Sequence, residues 1–254
     1  MTTLTLRPYA ATTGRILRQL RNDHRTVAMI LVVPAVLMAL LYFIYAETPA
    51  NPQGPALFDR VGISMLGILP FIVMFLVTAI AMQRERTSGT LERLLSKPLS
   101  KLDLIGGYGT AFSLAAAAQA AVACLVSFGL LGLHAAGSPG WVVLIAVVDA
   151  ICGVALGLLA SAFARTEFQA VQFMPLVVAP QIFLCGLLVP RDQLPRWLEI
   201  ISNVMPLSYA VDALEQVSTH TAPTGQMGRD LLIVAAFAIV ALVVGAATLR
   251  RRSA

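Results

Sequence analysis

The stretch that decides the fold reads QRERTSGTLERLLSKPLS, from Gln83 to Ser100. This charged island lies between two long apolar runs, in a chain that is almost free of charge over long distances. A loop that only reverses the chain direction needs few polar residues. This one places Leu91, Leu94 and Leu95 at the spacing of one helix face, which predicts a short amphipathic helix. The pattern indicates a structured surface that another protein contacts.

The same stretch carries the signals that begin and end such a helix. Thr87 or Ser88 is expected to cap it, and Glu92 lies in its first turns, where the helix dipole favours a carboxylate. Pro98 is expected to stop it. The basic residues left available to acids on a partner are Arg84, Arg86 and Arg93.

Composition places the whole chain in the membrane. Of its 254 residues, 58% are hydrophobic and only 12% are charged, and the mean hydropathy is +0.81. A soluble domain is about half apolar and about one quarter charged. A hydrocarbon layer of about 30 Å needs about 20 apolar residues in a helix. Several segments reach that length and none has the alternating pattern of a barrel strand, so the sequence predicts an all-α integral membrane protein.

Six transmembrane helices in a single membrane domain of residues 1–254 fit the apolar runs. Their expected limits are residues 27–46, 61–82, 104–133, 141–163, 168–189 and 231–249. Residues 191–205 are too charged to span and are expected to lie at the membrane surface or to dip back into it. The third span is long enough to tilt or to emerge from the bilayer.

The positive charges give the orientation, because cytoplasmic loops are enriched in Lys and Arg. Fourteen of the eighteen fall on one side: Arg7, Arg15, Arg18, Arg21, Arg25, Arg84, Arg86, Arg93, Lys97, Lys101, Arg165, Arg250, Arg251 and Arg252. The other side receives four cations and seven acids. Both termini are therefore expected in the cytoplasm of a multi-pass protein of the cell membrane. The net charge of +5 gathers at membrane exits, which favours lipid headgroups over nucleic acid as the partner.

The amino-terminal arm, residues 1–26, places Ile16, Leu17 and Leu20 at helical intervals with arginines between them. This pattern is typical of a helix lying in the membrane interface. A positive anchor that only sets the topology fits the arm equally well. The first apolar run follows only after about 26 residues and lacks a small-x-small cleavage site, so it is not expected to be a cleaved signal.

The sequence contains no recognisable catalytic or metal-binding motif. Cys124, Cys152 and Cys185 lie inside predicted spans without CxxC spacing, and the three histidines form no HExxH pattern. The chain has only two lysines, Lys97 and Lys101, and neither belongs to a Walker A loop. The chain is therefore not expected to be an enzyme or to bind a metal, and it cannot hydrolyse a nucleotide by itself.

One ionisable side chain falls near the middle of a span. Asp149 in the fourth apolar run costs about 2.5–3.5 kcal/mol to insert. It could serve as a proton or cation relay, or it could be a packed group between helices, and the absence of a second intramembrane charge favours packing. Gly153 and Gly157 follow it and form a small-xxx-small pair that permits close helix approach.

Two segments together resemble ABC transporter permeases of the type-2 export family, in the drug-resistance branch with six spans and no fused ATPase. The first is the charged stretch, with an acid flanked by basic residues, then Gly-Thr, an acid, a leucine pair and a proline. The second reads GLLVPRDQLPRWL from Gly186, followed by MPLSYAVDAL from Met205. Many members carry Arg after the Ala-Leu pair, where this chain has Glu215.

The resemblance implies roles for specific residues. Residues 84–100 would form a coupling helix for the ATPase, and residues 190–206 would form short outer re-entrant helices. The coupling residues are Arg84, Glu85, Arg86, Gly89, Thr90, Glu92, Leu95 and Pro98. The outer signature consists of Gly186, Pro190, Leu194, Pro195, Trp197, Pro206 and Tyr209.

The resemblance also implies a function and partners. The chain is expected to be the membrane-spanning subunit of an ATP-driven exporter of an amphipathic or drug-like compound. It would pair with a second copy or a paralogous permease and with a separate ABC ATPase subunit. The chain itself would bind no cofactor, and ATP and Mg would be bound by the ATPase. Export of a cell-surface polysaccharide or lipid intermediate is the alternative. An ion-coupled carrier using Asp149 is a more distant one, and an intramembrane enzyme would need paired catalytic groups that are missing.

Overall fold

The computed structural model describes residues 6–46, 57–90 and 101–248, with the side chains of residues 6–8 and 101–102 left aside. Within these ranges the chain forms nine α-helices and one 3-10 turn, Arg191–Gln193, and no β-strand. The helices are α1 Leu6–Asn22, α2 His24–Tyr45, α3 Leu57–Thr87, α4 Lys101–Gly129, α5 Pro139–Ser161, α6 Glu167–Leu184, α7 Arg196–Ser202, α8 Pro206–Thr219 and α9 Gly225–Ala247. The predicted all-α class is confirmed for the described residues.

Among the described residues, five helices are long and apolar enough to cross a membrane: α2, α3, α4, α5 and α9. They coincide with five of the six predicted spans. The remaining prediction, residues 168–189, corresponds to α6, which has 18 residues and ends at Leu184. Glutamines and the internal prolines Pro175 and Pro180 lower its apolarity, and it is not among the five. A sixth span therefore stays a prediction.

The third span is shorter than predicted. Helix α4 ends at Gly129 rather than near Leu133, and Gly132 adopts a left-handed φ of +66°, which suits a residue without Cβ. In the loop that follows, the backbone amide of His134 donates a hydrogen bond to Asp59 at the start of α3, at 2.9 Å. Leu133 is buried although it lies outside the helix. The apolar run thus continues past the helix because the loop packs on the bundle.

Helices α3 and α5 form the centre of the bundle and the most extensive helix–helix contact in it. A Cβ added at Gly153 would lie 2.5 Å from the carbonyl oxygen of Phe71, and one at Gly157 would lie 2.4 Å from that of Phe75. The two glycines therefore let the α5 backbone touch the α3 backbone directly. The predicted role of this small-xxx-small pair in close packing is confirmed.

The amino-terminal arm contains helix α1, whose apolar side chains pack against protein. Its position in the membrane interface stays a prediction. Ile16 is buried, and Thr12 lies against Gly107 of α4 so closely that a Cβ on that glycine would be 2.8 Å from the Thr12 methyl group. The hydroxyl groups of Tyr9 and Thr110 form a hydrogen bond. Helix α1 therefore rests on the first turns of α4.

Helix α2 is the least buried of the five long apolar helices. Its buried side chains, Ile30, Pro34 and Met38, recur every four residues and face the bundle. The opposite face exposes Met29, Val32, Val36, Leu40 and Phe43, with Phe43 70% exposed. A continuous exposed apolar face of this length is typical of a helix that contacts lipid or another membrane helix.

Candidate coupling and outer sites

The first residues of the charged stretch belong to the central helix α3, which ends at Thr87. The Thr87 hydroxyl donates to the carbonyl of Gln83 at 3.1 Å, and the Ser88 hydroxyl donates to that of Glu85 at 3.4 Å. Thr87 therefore closes α3, while the helix that it was predicted to cap lies outside the described residues. Gly89 follows with φ of +70°, which turns the chain at a position that an L side chain would strain.

Glu85 is turned towards the bundle and ties α3 to α1. Its Oε1 accepts hydrogen bonds from Arg15 at 3.3 Å and from Gln19 at 3.4 Å. Arg15 also donates to the hydroxyl of Tyr108 on α4 at 2.6 Å. The side chain of Glu85 is only 13% exposed. The carboxylate predicted to meet the ATPase thus has a partner within its own chain.

Arg84 and Arg86 differ in their surroundings. The Nε of Arg84 donates to Glu167 at the start of α6 at 3.0 Å, in an exposed ion pair. Nε and Nη2 of Arg86 are buried without a hydrogen-bond partner, and no acid in the described part of the chain forms an ion pair with it. Thr90 is half-buried. Of the three charged residues at this end of α3, only Arg86 forms no ion pair within the described part of the chain.

The remaining coupling residues, Glu92, Leu95 and Pro98, lie outside the described residues, as do Leu91, Arg93 and Leu94. The predicted coupling helix therefore stays a prediction. The described residues show what precedes it. Helix α3 runs through the centre of the bundle, is tied to α1 and α6, and ends at Thr87, two residues before Gly89.

The outer segment is organised around Arg191. Its guanidinium donates to the carboxylate of Asp212 and to the side-chain oxygen of Asn203, and it stacks over the ring of Tyr209 at 5.1 Å. The Tyr209 hydroxyl donates to the backbone carbonyl of Asn203 at 2.8 Å. These contacts join the 3-10 turn, the end of α7 and helix α8 into one unit, which we call the outer clamp: Arg191, Asn203, Tyr209 and Asp212.

Burial affects the chemistry of the outer clamp. It raises the pKa of Asp212 to about 6, and the favourable charge of Arg191 offsets only part of that effect. Gly186 precedes the clamp with φ of +96°, and a Cβ there would lie 3.5 Å from Cγ of Arg191 and 3.9 Å from Asp212 Oδ1. The glycine of the predicted signature is thus needed for its backbone conformation, because an added Cβ would make only ordinary van der Waals contacts there.

The prolines of the outer signature set the limits of its short helices. Pro190 precedes the 3-10 turn, Pro195 precedes α7, and Pro206 is the first residue of α8. Leu194 connects the turn to α7. Trp197 on α7 is 64% exposed, which suits an aromatic ring at the headgroup level. Whether residues 190–206 re-enter the membrane stays a prediction.

Asp149 lies inside the bundle, away from both sites. It is fully buried and neither carboxylate oxygen has a hydrogen-bond partner. Its Oδ2 faces Gly67 of α3, where an added Cβ would be 3.5 Å away. No cation in the described part of the chain forms an ion pair with it. The carboxylate is thus packed between helices, and whether it also relays ions stays a prediction.

Sequence patterns missed several partners of the predicted residues. Arg15 was predicted only as one of the positive charges that give the orientation, and Glu167 was not singled out, although they bind Glu85 and Arg84. The Arg191–Asp212 pair joins residues 21 positions apart on different elements, and the two signature segments that contain them give no sign that they pair. The one available signal was that both are charged residues in a sequence that carries few.

Comparison with known proteins agrees with this architecture. The family described as ABC-2 type transporter matches residues 9–218, which is most of the chain. The chain belongs to this family. The resemblance inferred from the two motifs is thereby confirmed. Proteins of this family form the membrane-inserted permease part of ABC transporters.

Similar proteins include permeases named for drug and antibiotic resistance. The multidrug ABC transporter permease YbhR of Escherichia coli K12 is 27% identical over 61% of this chain and 42% of its own length. The linearmycin resistance permease protein LnrN of Bacillus subtilis 168 is 26% identical over 65% of this chain and 43% of its own. Nodulation protein J of Rhizobium meliloti 1021 is 26% identical over 66% and 64%. The chain thus matches less than two thirds of the length of each of these relatives.

Proposed function

We propose that this ABC-2 permease moves an amphipathic or drug-like compound out of the cell, driven by a separate ATPase subunit that binds ATP and Mg. The observation that carries the proposal is the continuity of α3, which runs from the packed centre of the bundle to the charged stretch and is tied there to α1 and α6. A helix held in this way can pass a push at its cytoplasmic end to the rest of the bundle. The similarity to YbhR and LnrN supports a drug-like substrate.

Export of a cell-surface polysaccharide or lipid intermediate is the second candidate. Its support is the similarity to nodulation protein J, which covers a larger share of that relative than the matches to the multidrug permeases do. The pathway in either case requires a second permease copy or a paralogue, because one chain presents a single coupling stretch and an apolar α2 face that remains exposed.

The function can be tested in inverted membrane vesicles that contain the permease and its ATPase. ATP should drive accumulation of a fluorescent amphiphilic dye, and an ATPase lacking its phosphate-binding lysine should abolish it. The control replaces ATP with an imposed proton gradient. Accumulation driven by the gradient alone would contradict an ATP-driven exporter.

The proposed orientation, with both termini in the cytoplasm, predicts which positions a membrane-impermeant thiol reagent reaches. A cysteine at Ser88 should be labelled from the cytoplasm, and one at Gln193 from outside. Cysteines at positions 53 and 252, which lie outside the described residues, should be labelled from outside and from the cytoplasm respectively. The three native cysteines are buried and give little background. Labelling of position 88 from outside would reverse the proposed topology.

An Asp149→Asn variant should insert normally and keep most of its transport at every pH tested. The expectation follows from the absence of a hydrogen-bond or ion-pair partner that the carboxylate would serve. Transport in vesicles at acidic and alkaline pH is the measurement, with the exposed Glu199→Gln as the matched control. A large, pH-dependent loss confined to Asp149→Asn would favour an ion-coupled carrier instead.

A further inference from the structure

We propose that a pocket at the cytoplasmic end of helices α1, α2, α3 and α4 binds an amphiphile with a positively charged headgroup. The pocket has a volume of about 520 Å³, within the range of about 300–1,000 Å³ that holds small molecules. The inference deepens the proposed function, on which it rests, by naming where the compound enters and which headgroup charge is favoured.

The lining of this pocket separates into an apolar floor and a polar rim. Met29, Val77, Ile80, Ala81 and Phe112 form the floor, which lies within the long apolar helices. The rim is polar and includes Gln19, Asp23, Thr26, Glu85 and Ser88. This division matches an amphiphile whose apolar body lies in the bilayer and whose headgroup lies at the cytoplasmic boundary.

The charge at the rim selects a cation. Glu85 Oε1 accepts from Arg15 and Gln19 at 3.3 and 3.4 Å, but its Oε2 has no hydrogen-bond partner. Its negative charge is therefore incompletely compensated. The arginine in the lining, Arg84, forms an ion pair with Glu167.

Asp23 adds a second carboxylate to the rim. Hydrogen bonds from the hydroxyl and the amide of Thr26, at 2.7 and 3.1 Å, lower the pKa of Asp23, so it is ionised at neutral pH. Two carboxylates, Asp23 and Glu85, and one guanidinium, Arg84, line the pocket, so the lining carries one excess negative charge. The exposed Arg18, Arg21 and Arg25 are not part of the lining. A cationic headgroup gains Coulomb energy here that an anionic one loses.

The test uses the full-length permease in lipid nanodiscs and a dodecylammonium probe with a diazirine at the end of its chain. After irradiation, mass spectrometry should find the label on peptides of α2, α3 and α4 that contain Met29, Val77, Ile80 or Phe112. A dodecyl sulfate analogue should label these peptides at least about fivefold less. Equal labelling by the two probes would overturn the proposal.

Variants separate the pocket from general membrane binding. Asp23→Asn keeps a capping side chain and Glu85→Gln keeps the hydrogen-bonding shape, and each should reduce ammonium labelling by about threefold to fivefold. Ile80→Trp should fill the floor and abolish labelling, while Leu114→Trp, on the exposed face of α4, should leave it unchanged. Where Ile80→Trp lowers the yield of monodisperse protein, Ala81→Leu carries the same test. Unchanged labelling in the filled variants would overturn the site.

Two further measurements distinguish a lipid from a free amine as the natural occupant, and the pocket from the proposed transport. An excess of a phosphoethanolamine lipid competes for the site if a membrane lipid is its natural occupant, and leaves labelling intact if a free amphiphilic amine is. ATP-driven transport of the dodecylammonium probe is measured in parallel. Pocket labelling without ATP-driven transport overturns the proposed exporter and leaves the site in place. Transport without pocket labelling overturns the site alone.

Discussion

Replacing both Gly153 and Gly157 with alanine should prevent the helix bundle from assembling stably. Each added Cβ would lie only 2.4–2.5 Å from a backbone carbonyl oxygen of α3. Because both atoms are fixed by the backbone, no side-chain rotation relieves this clash. Helices α3 and α5 would have to separate, in the most extensive helix–helix contact of the described chain. Overpacking of this kind costs about 1–3 kcal/mol per site, or more where the backbone must move. The apparent unfolding temperature in detergent should fall by several degrees for each single variant.

The control is the same substitution at Gly228 of α9, where no atom lies within 4 Å of the added Cβ. Alanine is a better helix former than glycine by about 1 kcal/mol, so Gly228→Ala should be neutral or stabilising. Size-exclusion profiles of the tagged proteins after heating measure both effects. If Gly157→Ala were as stable as Gly228→Ala, the close contact between α3 and α5 would be wrong.

The parts of this fold that depend on local pattern were predictable. Five apolar runs became five long helices, because length and apolarity alone decide insertion. The glycine pair after Asp149 predicted close packing for the same reason, since a missing side chain is visible in the sequence. Residues 168–189 were harder, because the polar residues and prolines of α6 are compatible with either a span or a helix covered by its neighbours.

The connections between distant segments were not predictable. The charge pattern marked Glu85 as a surface residue, yet it packs inward because Arg15, 70 positions away, reaches it from α1. The outer signature was recognised by its prolines and glycine, whereas Arg191 and Asp212 hold it together. A charged residue looks the same in sequence whether its partner lies in its own chain or in another protein. Only the fold distinguishes these cases.

The pairs formed within the chain limit which coupling residues remain available to the ATPase. Arg84 and Glu85 are already paired within the chain, while Nε and Nη2 of Arg86 are buried and lack a partner. A half-buried guanidinium without an acid is unfavourable, and an acid supplied by a docking subunit would relieve it. Among the described coupling residues, Arg86 is therefore the one that we expect to contact the ATPase.

Arg86→Glu should consequently detach the ATPase while leaving the permease inserted and folded. Charge reversal at a partly buried contact commonly costs about 2–5 kcal/mol, enough to abolish co-purification and ATP-driven efflux together. Glu92→Lys, in the part of the stretch that lies outside the described residues, should act in the same direction. Glu85→Lys should differ, because it places a cation beside Arg15, so it should also lower the thermal stability of the permease on its own. The exposed Glu199→Lys at the opposite end is the control for altered net charge. If Arg86→Glu and Glu92→Lys both retained normal co-purification and efflux, the charged stretch would not be the docking surface, and the proposed exporter would lose its link to ATP.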